Sequence, residues 1–203
     1  MILRIFKFVV ICLSCFMFTQ VNAKEYKPDI NYKVISQNIT RVPEVREYFS
    51  FFCSHCFALR PSIEQISNKF KNVNVVYNPI GLLGGESGVE SQYAFAIAQN
   101  EGVEQEFTEE FFTRVHINNE FPQDMDYFIN LMESLGVPAE KYKQDRNAFV
   151  IMAKVSEFDR HMKDANIEAV PEIVVNGKYL AVLDDVENEE QFLDLIGFLL
   201  TLK

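Results

Sequence analysis

The chemistry of this chain is concentrated in EYFSFFCSHCFALRP, residues 47–61, where Cys53 and Cys56 stand three positions apart with Ser54 and His55 between them. Thiols at this spacing can form a structural staple, half of a metal site or a working redox pair. A staple closing so small a loop removes little chain entropy, so stabilisation is a poor reason for it. Zinc wants four ligands, and beyond the two thiols the chain after residue 23 offers only His55, His116 and His161, with no second paired motif. His116 and His161 read as ordinary helix-face residues. Redox chemistry fits best. With Cys53 at a strand end and a helix start, its sulfur faces unpaired backbone N–H groups and the positive end of the helix dipole, which favour a thiolate. Cys56, one turn further in, is then the more buried resolving thiol. His55 adds a hydrogen-bond donor and, when protonated, a positive charge beside the sulfur; its plainer alternative is a solvated helix residue.

Such a pair persists in an oxidising compartment, and the N-terminus points to one. Residues 1–23 hold Arg4 and Lys7, an apolar run from Phe8 to Phe18, and small residues up to Ala23. This reads as an export signal removed on secretion. A membrane anchor is the alternative, but the run falls short of the roughly 18 residues a spanning helix needs. Lipidation at Cys12 or Cys15 lacks the usual leucine and small-residue context. Removing 23 of 203 residues leaves 180, which suits one domain, or one domain with an insertion, able to bury a core without staples. Cys53 and Cys56 are then the cysteines that remain. The signal carries two of the 19 basic residues and none of the 29 acidic ones, so net charge falls from −10 to −12. That surface repels phosphate backbones and argues against nucleic acid. The glycine cluster LLGGESG, 82–88, lacks a P-loop lysine and reads as a loop leading into a helix. No later segment is apolar for long enough to span a membrane.

The elements that must position the thiols follow from the periodicity. The aromatic and apolar run over 45–52 reads as a buried strand, the segment from Cys53 to Phe70 as a helix with Phe57, Ile63, Ile66 and Phe70 near helical spacing, and 72–80 as a second strand. Pro61 should kink the helix. This strand, helix, strand unit builds a parallel sheet by a right-handed crossover. From Ser87 the pattern is helical for about 75 residues. Ser87 with Glu90 gives a capping-box signal and Gly102 a stop; further helices are expected over 104–115, 124–135, and from Pro138, a good first-turn residue, to about Ala165. Strands return at 171–183, where Asn176 and Gly177 separate two apolar runs as in a hairpin. Residues 187–202 form a closing amphipathic helix with Phe192, Leu195, Ile196 and Leu199 on one side.

The stretches EYFSFFCSHC, GGESG and AVPEIVVNGKY, in this order along the chain, resemble the DsbA family of bacterial thiol:disulfide oxidoreductases. The resemblance implies an α/β thioredoxin fold over 24–81 and 159–203 with an all-helical subdomain inserted over 82–158. It also implies a cis proline, Val170-Pro171, facing the cysteines; by base rate alone cis is the minority form, and a trans proline opening an edge strand is the alternative. The catalytic set carried over is Cys53, Ser54, His55, Cys56, Val170, Pro171 and Glu47. A peptide groove would involve Val170, Pro171, Leu83, Gly84 and Gly85. Two departures stand out: Ser54 replaces the family's usual proline between the cysteines, and Val76 takes the place of a lysine often paired with the buried acid that Glu47 matches. Glu47 either relays protons near Cys56 or is a plain strand-end carboxylate. No cofactor is implied beyond the Cys53–Cys56 disulfide itself. The implied setting is the periplasm, the implied partners are unfolded or partly folded secreted proteins with free cysteines and a DsbB-like inner-membrane reoxidant, and the implied state is a monomer.

The reading is a dithiol oxidase that donates the Cys53–Cys56 disulfide through a mixed disulfide at Cys53. Two others stay open: a reductase or isomerase running the same pair in reverse, and a non-redox holdase using Phe51, Phe52 and Phe57, although aromatics at that spacing are more often core. The absence of an extra domain ahead of the first strong strand, and valine before Pro171, lean toward the oxidase. Purified without reductant, the protein should hold one disulfide and no zinc, as checked by thiol titration under denaturing conditions and by metal analysis; stoichiometric zinc would count against it, since zinc needs free thiolates.

Overall fold

The computed structural model describes residues 25–203; the expected export signal lies outside the described residues. The chain runs β1 (Tyr32–Val34), β2 (Glu44–Phe49), α1 (Ser54–Lys69), β3 (Asn74–Pro79), α2 (Glu86–Glu101), α3 (Glu104–His116), α4 (Met125–Ser134), α5 (Ala139–Arg146), α6 (Phe149–Asp164), β4 (Glu172–Val175), β5 (Tyr179–Ala181) and α7 (Glu189–Thr201). The strands form one mixed sheet in the order β1-β5-β4-β2-β3. β2 and β3 are parallel, while β4 runs antiparallel to β2 and β5 antiparallel to β4. Asn176 and Gly177 both take positive φ in the β4–β5 turn, which is the hairpin their types predict. β1, too short and polar to read from the sequence, pairs with β5 through the register Tyr32↔Ala181.

Side-chain alternation along β2 sorts the core into layers. Val45 packs with Ile63 and Ile66 of α1 and with Phe192, Leu195, Ile196 and Leu199 of α7. Tyr48 faces the other way, with Ile80, Ile167 and Val174. Phe49 and Phe51 point into a third cluster, filled by α2, α3, α4 and α6, which also contains Cys53 and Cys56. The thiols therefore sit at the seam between the sheet unit and the five helices that intervene between β3 and β4.

Two local expectations need correction. α2 begins at Glu86 behind Gly85, not at a capping box: the Ser87 hydroxyl donates to the Pro122 carbonyl at 3.2 Å, and Glu90 is held by Tyr142 and Arg146. The two glycines at positive φ, Gly84 and Gly85, set the start instead. The single helix expected from Pro138 is two, with Pro138 as the cap of the first rather than its first turn. Ala148 turns extended, φ −74 and ψ 137, because Arg146 is drawn onto Glu90 and over the Tyr93 ring at 3.3 Å while α6 must swing Ile151, Val155 and Phe158 into the core. Pro61 lies inside α1, which runs unbroken over its 16 residues. The missing N–H leaves one carbonyl unserved without ending the helix.

Phe51 is fully buried and lies within 4.8–6.0 Å, centroid to centroid, of Phe49, Phe95, Phe107, Phe111 and Phe112. It is a core residue, which removes it from the exposed-aromatic set a holdase would need. Phe51→Ala should cost about 3–5 kcal/mol in urea unfolding, because the surrounding rings cannot collapse into the space of a phenyl group.

Candidate active site

The site begins with the turn between β2 and α1. The Cys53 N–H donates to the Ser50 carbonyl at 3.1 Å, which folds the chain back after the strand. Cys53 itself is the N-cap of α1, in extended conformation at φ −98 and ψ 116, and its sulfur accepts the Cys56 N–H at 3.4 Å. A sulfur thus occupies the place where a serine or aspartate oxygen usually caps a helix. The two cysteines are free thiols in this structure. The Cys53 thiol donates to the Val170 carbonyl at 3.5 Å, and Val170-Pro171 is a cis peptide bond, so the loop before β4 closes over Cys53.

Burial divides the pair: Cys53 keeps 7% of its surface and Cys56 none. Burial pushes the Cys56 thiol strongly up, with a hydrogen bond from the Ser50 backbone pulling the other way and Cys53 and Glu47 adding to the rise. Cys56 in this dithiol form is therefore a protonated thiol at neutral pH. Ser54 and His55 are exposed on the first turn of α1. The sulfur of Cys53 is served by the Cys56 N–H and the Val170 carbonyl, whereas His55 stands at the wall of an adjoining groove.

Glu47 lies below this pair, 2% exposed, and burial pushes its carboxyl up to about 8. The position expected to hold its partner is corrected by the register: the residue opposite Glu47 on β3 is Tyr77, and Val76 lies opposite Arg46. The charge that lowers Glu47 comes instead from Arg60 of α1, which also lies 5.2 Å over the Tyr77 ring. One helix thus carries Cys53 as its N-cap, Cys56 in its first turn and the cation beside the buried acid.

Two features near the thiols go beyond the sequence reading, in which His116 is an ordinary helix-face residue and the second leaves no sign. His116 bonds the Phe51 carbonyl through Nε2 at 2.8 Å and stacks on Phe57 at 5.0 Å, tying α3 to the active-site turn. Beside His55 and Pro171 a groove of about 370 Å³ is lined by Leu59, Leu183, Val186 and Phe192. No local motif could reveal it, because α1, the loop after β5 and α7 each contribute a piece. The loop carrying Leu83, Gly84 and Gly85 lies elsewhere on the rim: it packs on Phe52, and a Cβ at Gly84 would meet that ring at 2.7 Å. Leu82 and Leu83 are exposed there.

The arrangement has counterparts among known proteins. Residues 44–197 match the model of the family described as DSBA-like thioredoxin domain. The thiol:disulfide interchange protein DsbA of Buchnera aphidicola subsp. Schizaphis graminum is 26% identical, over 97% of this chain and 99% of its own. The protein of the same name from Escherichia coli K12 is 28% identical over 78% of this chain and 77% of its own. Among solved structures, Pseudomonas aeruginosa DsbA superposes with a TM-score of 0.75 at 26% identity, covering 86% of this chain and 93% of that one. A Proteus mirabilis DsbA variant with a non-covalently bound peptide gives 0.76 at 25% identity, covering 87% and 98%.

The buried acid sets a pH dependence. A carboxyl whose folded-state pKa is raised from about 4.5 to about 8 contributes its full stability below the lower value and loses it as pH rises through the higher one. Wild-type stability should fall between pH 5 and pH 8 by on the order of 3–5 kcal/mol, and Glu47→Gln should remove most of that slope. Urea denaturation of both proteins at the two pH values measures it; equal slopes would clear Glu47 of the effect.

Proposed function

The chain belongs to the DSBA-like thioredoxin family and is a thiol:disulfide oxidoreductase, and we propose that it works as a periplasmic oxidase of newly exported proteins. The observation that carries the proposal is the division of labour at the helix start: Cys53 is the reachable sulfur at the N-cap, and Cys56 is buried and held protonated.

In the oxidised enzyme a substrate thiolate attacks Cys53 Sγ. The Cys53–Cys56 bond breaks, the Cys53–substrate bond forms, and the electron pair leaves on Cys56. Cys56 then takes a proton, and Glu47, whose carboxyl holds one up to about pH 8, is the neighbouring group placed to give it. A second substrate thiolate attacks the substrate sulfur of the mixed disulfide, and Cys53 departs as a thiolate. The Cys56 N–H and the α1 dipole stabilise that departing charge. The substrate has lost two electrons and the enzyme is the dithiol. A DsbB-like partner in the inner membrane returns it to the disulfide form, and the protein acts as a monomer, with residues 1–23 as its export signal and residues 82–158 as the inserted subdomain.

The substrate chain would run past Cys53 along the loop of Val170 and Pro171 and over the groove beside His55, where Leu59, Val186 and Phe192 give it apolar contact. A bound peptide in the structure of the Proteus mirabilis relative supports a peptide site of this kind. Leu83, Gly84 and Gly85 would bound it on the opposite side of Phe52.

Equilibration with glutathione separates oxidase from reductase. The oxidase reading expects a potential well above that of glutathione, and a value near about −270 mV, typical of a thioredoxin, would sink it. Given a disulfide-bonded peptide, Cys56→Ser should accumulate a mixed disulfide, the Cys53 thiolate attacking the peptide disulfide and releasing a peptide thiolate, and mass mapping should place it on Cys53.

A further inference from the structure

Among the described residues β3 is the outermost strand of the sheet and pairs only with β2. The Asn74 N–H donates to Pro43 at 2.9 Å and the Ile80 N–H to Phe49 at 2.8 Å, so the even-numbered residues of this strand face β2. Val75, Tyr77 and Pro79 then direct their backbone groups outward. Pro79 has no N–H, and its carbonyl accepts Gln92 Nε2 at 3.1 Å, which closes that end of the edge. Among the described hydrogen bonds none covers the outward groups of Val75 or Tyr77. Val75, Val76 and Tyr77 all line one cleft of about 700 Å³. Successive strand residues point to opposite faces, so a cleft lined by all three opens on the edge itself.

The facing wall carries two unspent polar atoms. Arg60 Nε and Gln99 Oε1 are buried with no hydrogen-bond partner in the protein, and both residues line this cleft. The Arg60 side chain is only 13% exposed. Orphaned buried groups of this kind are destabilising, and native proteins keep few. One is a donor and the other an acceptor, the complement of a peptide group. Arg60 is paired with Glu64 at 3.2 Å, and Glu104, which attracts the half-buried Lys154 outside the lining, adds a second carboxylate to the cleft.

We propose that this cleft is a second peptide site, in which an extended segment carrying a basic side chain adds to the free edge of β3 as a sixth strand. Its backbone would pair with Val75 and Tyr77, one further peptide group would bridge Arg60 Nε–H and Gln99 Oε1, and the basic side chain would meet Glu104. The volume is in the range of ordinary ligand sites. Arg60 is one helical turn beyond Cys56, so a client held here stays within reach of the thiols and its cysteines are presented at raised effective concentration. Naming unfolded clients as the occupant rests on the oxidase reading; the strand-addition geometry does not.

The test uses the oxidised full-length protein and the cysteine-free peptide acetyl-Lys-Val-Thr-Val-Lys-amide, titrated with amide and side-chain shifts as the readout. Because no thiol takes part, failure here leaves the oxidase reading standing, and a wrong oxidase reading leaves this site intact. Shifts should centre on Val75, Tyr77, Arg60 and Gln99. Val75→Pro, which removes an outward N–H and spares the β2 ladder, should weaken binding at least tenfold. Gln99→Leu should weaken it about tenfold while raising thermal stability, since an orphan acceptor is removed. Peptides N-methylated on alternate residues should differ sharply, one register binding and the other not. Shifts confined to His55, Pro171 and Val186, or equal binding by the two methylated peptides, would overturn the proposal. If Val75→Pro does not fold, undiminished binding by Gln99→Leu overturns it alone.

Discussion

Phe51 touches five other phenylalanine rings drawn from β2, α2 and α3, and that packing fixes the chain between the last residue of β2 and the first of α1. Two residues later comes Cys53, so the position of the reactive sulfur is set by a buried ring. Neighbouring contacts reinforce it: Phe52 is wedged against Phe111 and the Gly84 backbone, and His116 bonds the Phe51 carbonyl. The helices between β3 and β4 are therefore part of the active site, although none of the proposed reacting groups lies on them. Close packing at organic-crystal density gives such a cluster little room to shift.

Rigid placement lets two thiols of one motif differ chemically. α1 begins at the surface and descends into the core within a single turn, so Cys53 meets the N–H groups of the helix end while Cys56 is buried. Glu47, beneath them, is also buried, and burial outweighs the attraction of Arg60, which leaves a carboxyl that can hold or release a proton near neutral pH. In the proposed mechanism one strand and one helix thus supply both proton transfer and thiol chemistry. Ser54, in place of the family's usual proline, is exposed on the first helical turn and leaves the capping geometry of Cys53 in place.

The same descent of α1 separates two surfaces. On one side, its His55 and Leu59 join Pro171 and Phe192 to wall the apolar groove beside the thiols. On another, its Arg60 and Glu64 face the open edge of β3 across a more polar cleft. Edge strands are usually blunted by proline, charge or cover. β3 is blunted only at its far end, by Pro79 and Gln92, and the segment from Val75 to Tyr77 is left open beside two unpaired polar atoms.

Local chemistry was legible in the sequence. The CysSerHisCys stretch, the aromatic strand before it, the AsnGly hairpin at 176–177, the stop at Gly102 and the amphipathic face of α7 are all nearest-neighbour or periodic signals, and the structure shows each element. What failed was decided by partners distant in sequence. Glu90 looked like a capping residue but is held by Arg146, and that pull also breaks the helix expected to run on from Pro138. β1 exists because β5 offers it an edge, not because three mixed residues favour a strand. The partner of Glu47 could not be placed by counting along β3, since register is a property of the sheet, and Arg60 comes from a helix crossing above it. Grooves and orphaned polar atoms likewise arise only when separate segments meet. Sequence determined which atoms could react; tertiary packing decided which of them are buried, and hence which sulfur is reached first and which acid keeps its proton.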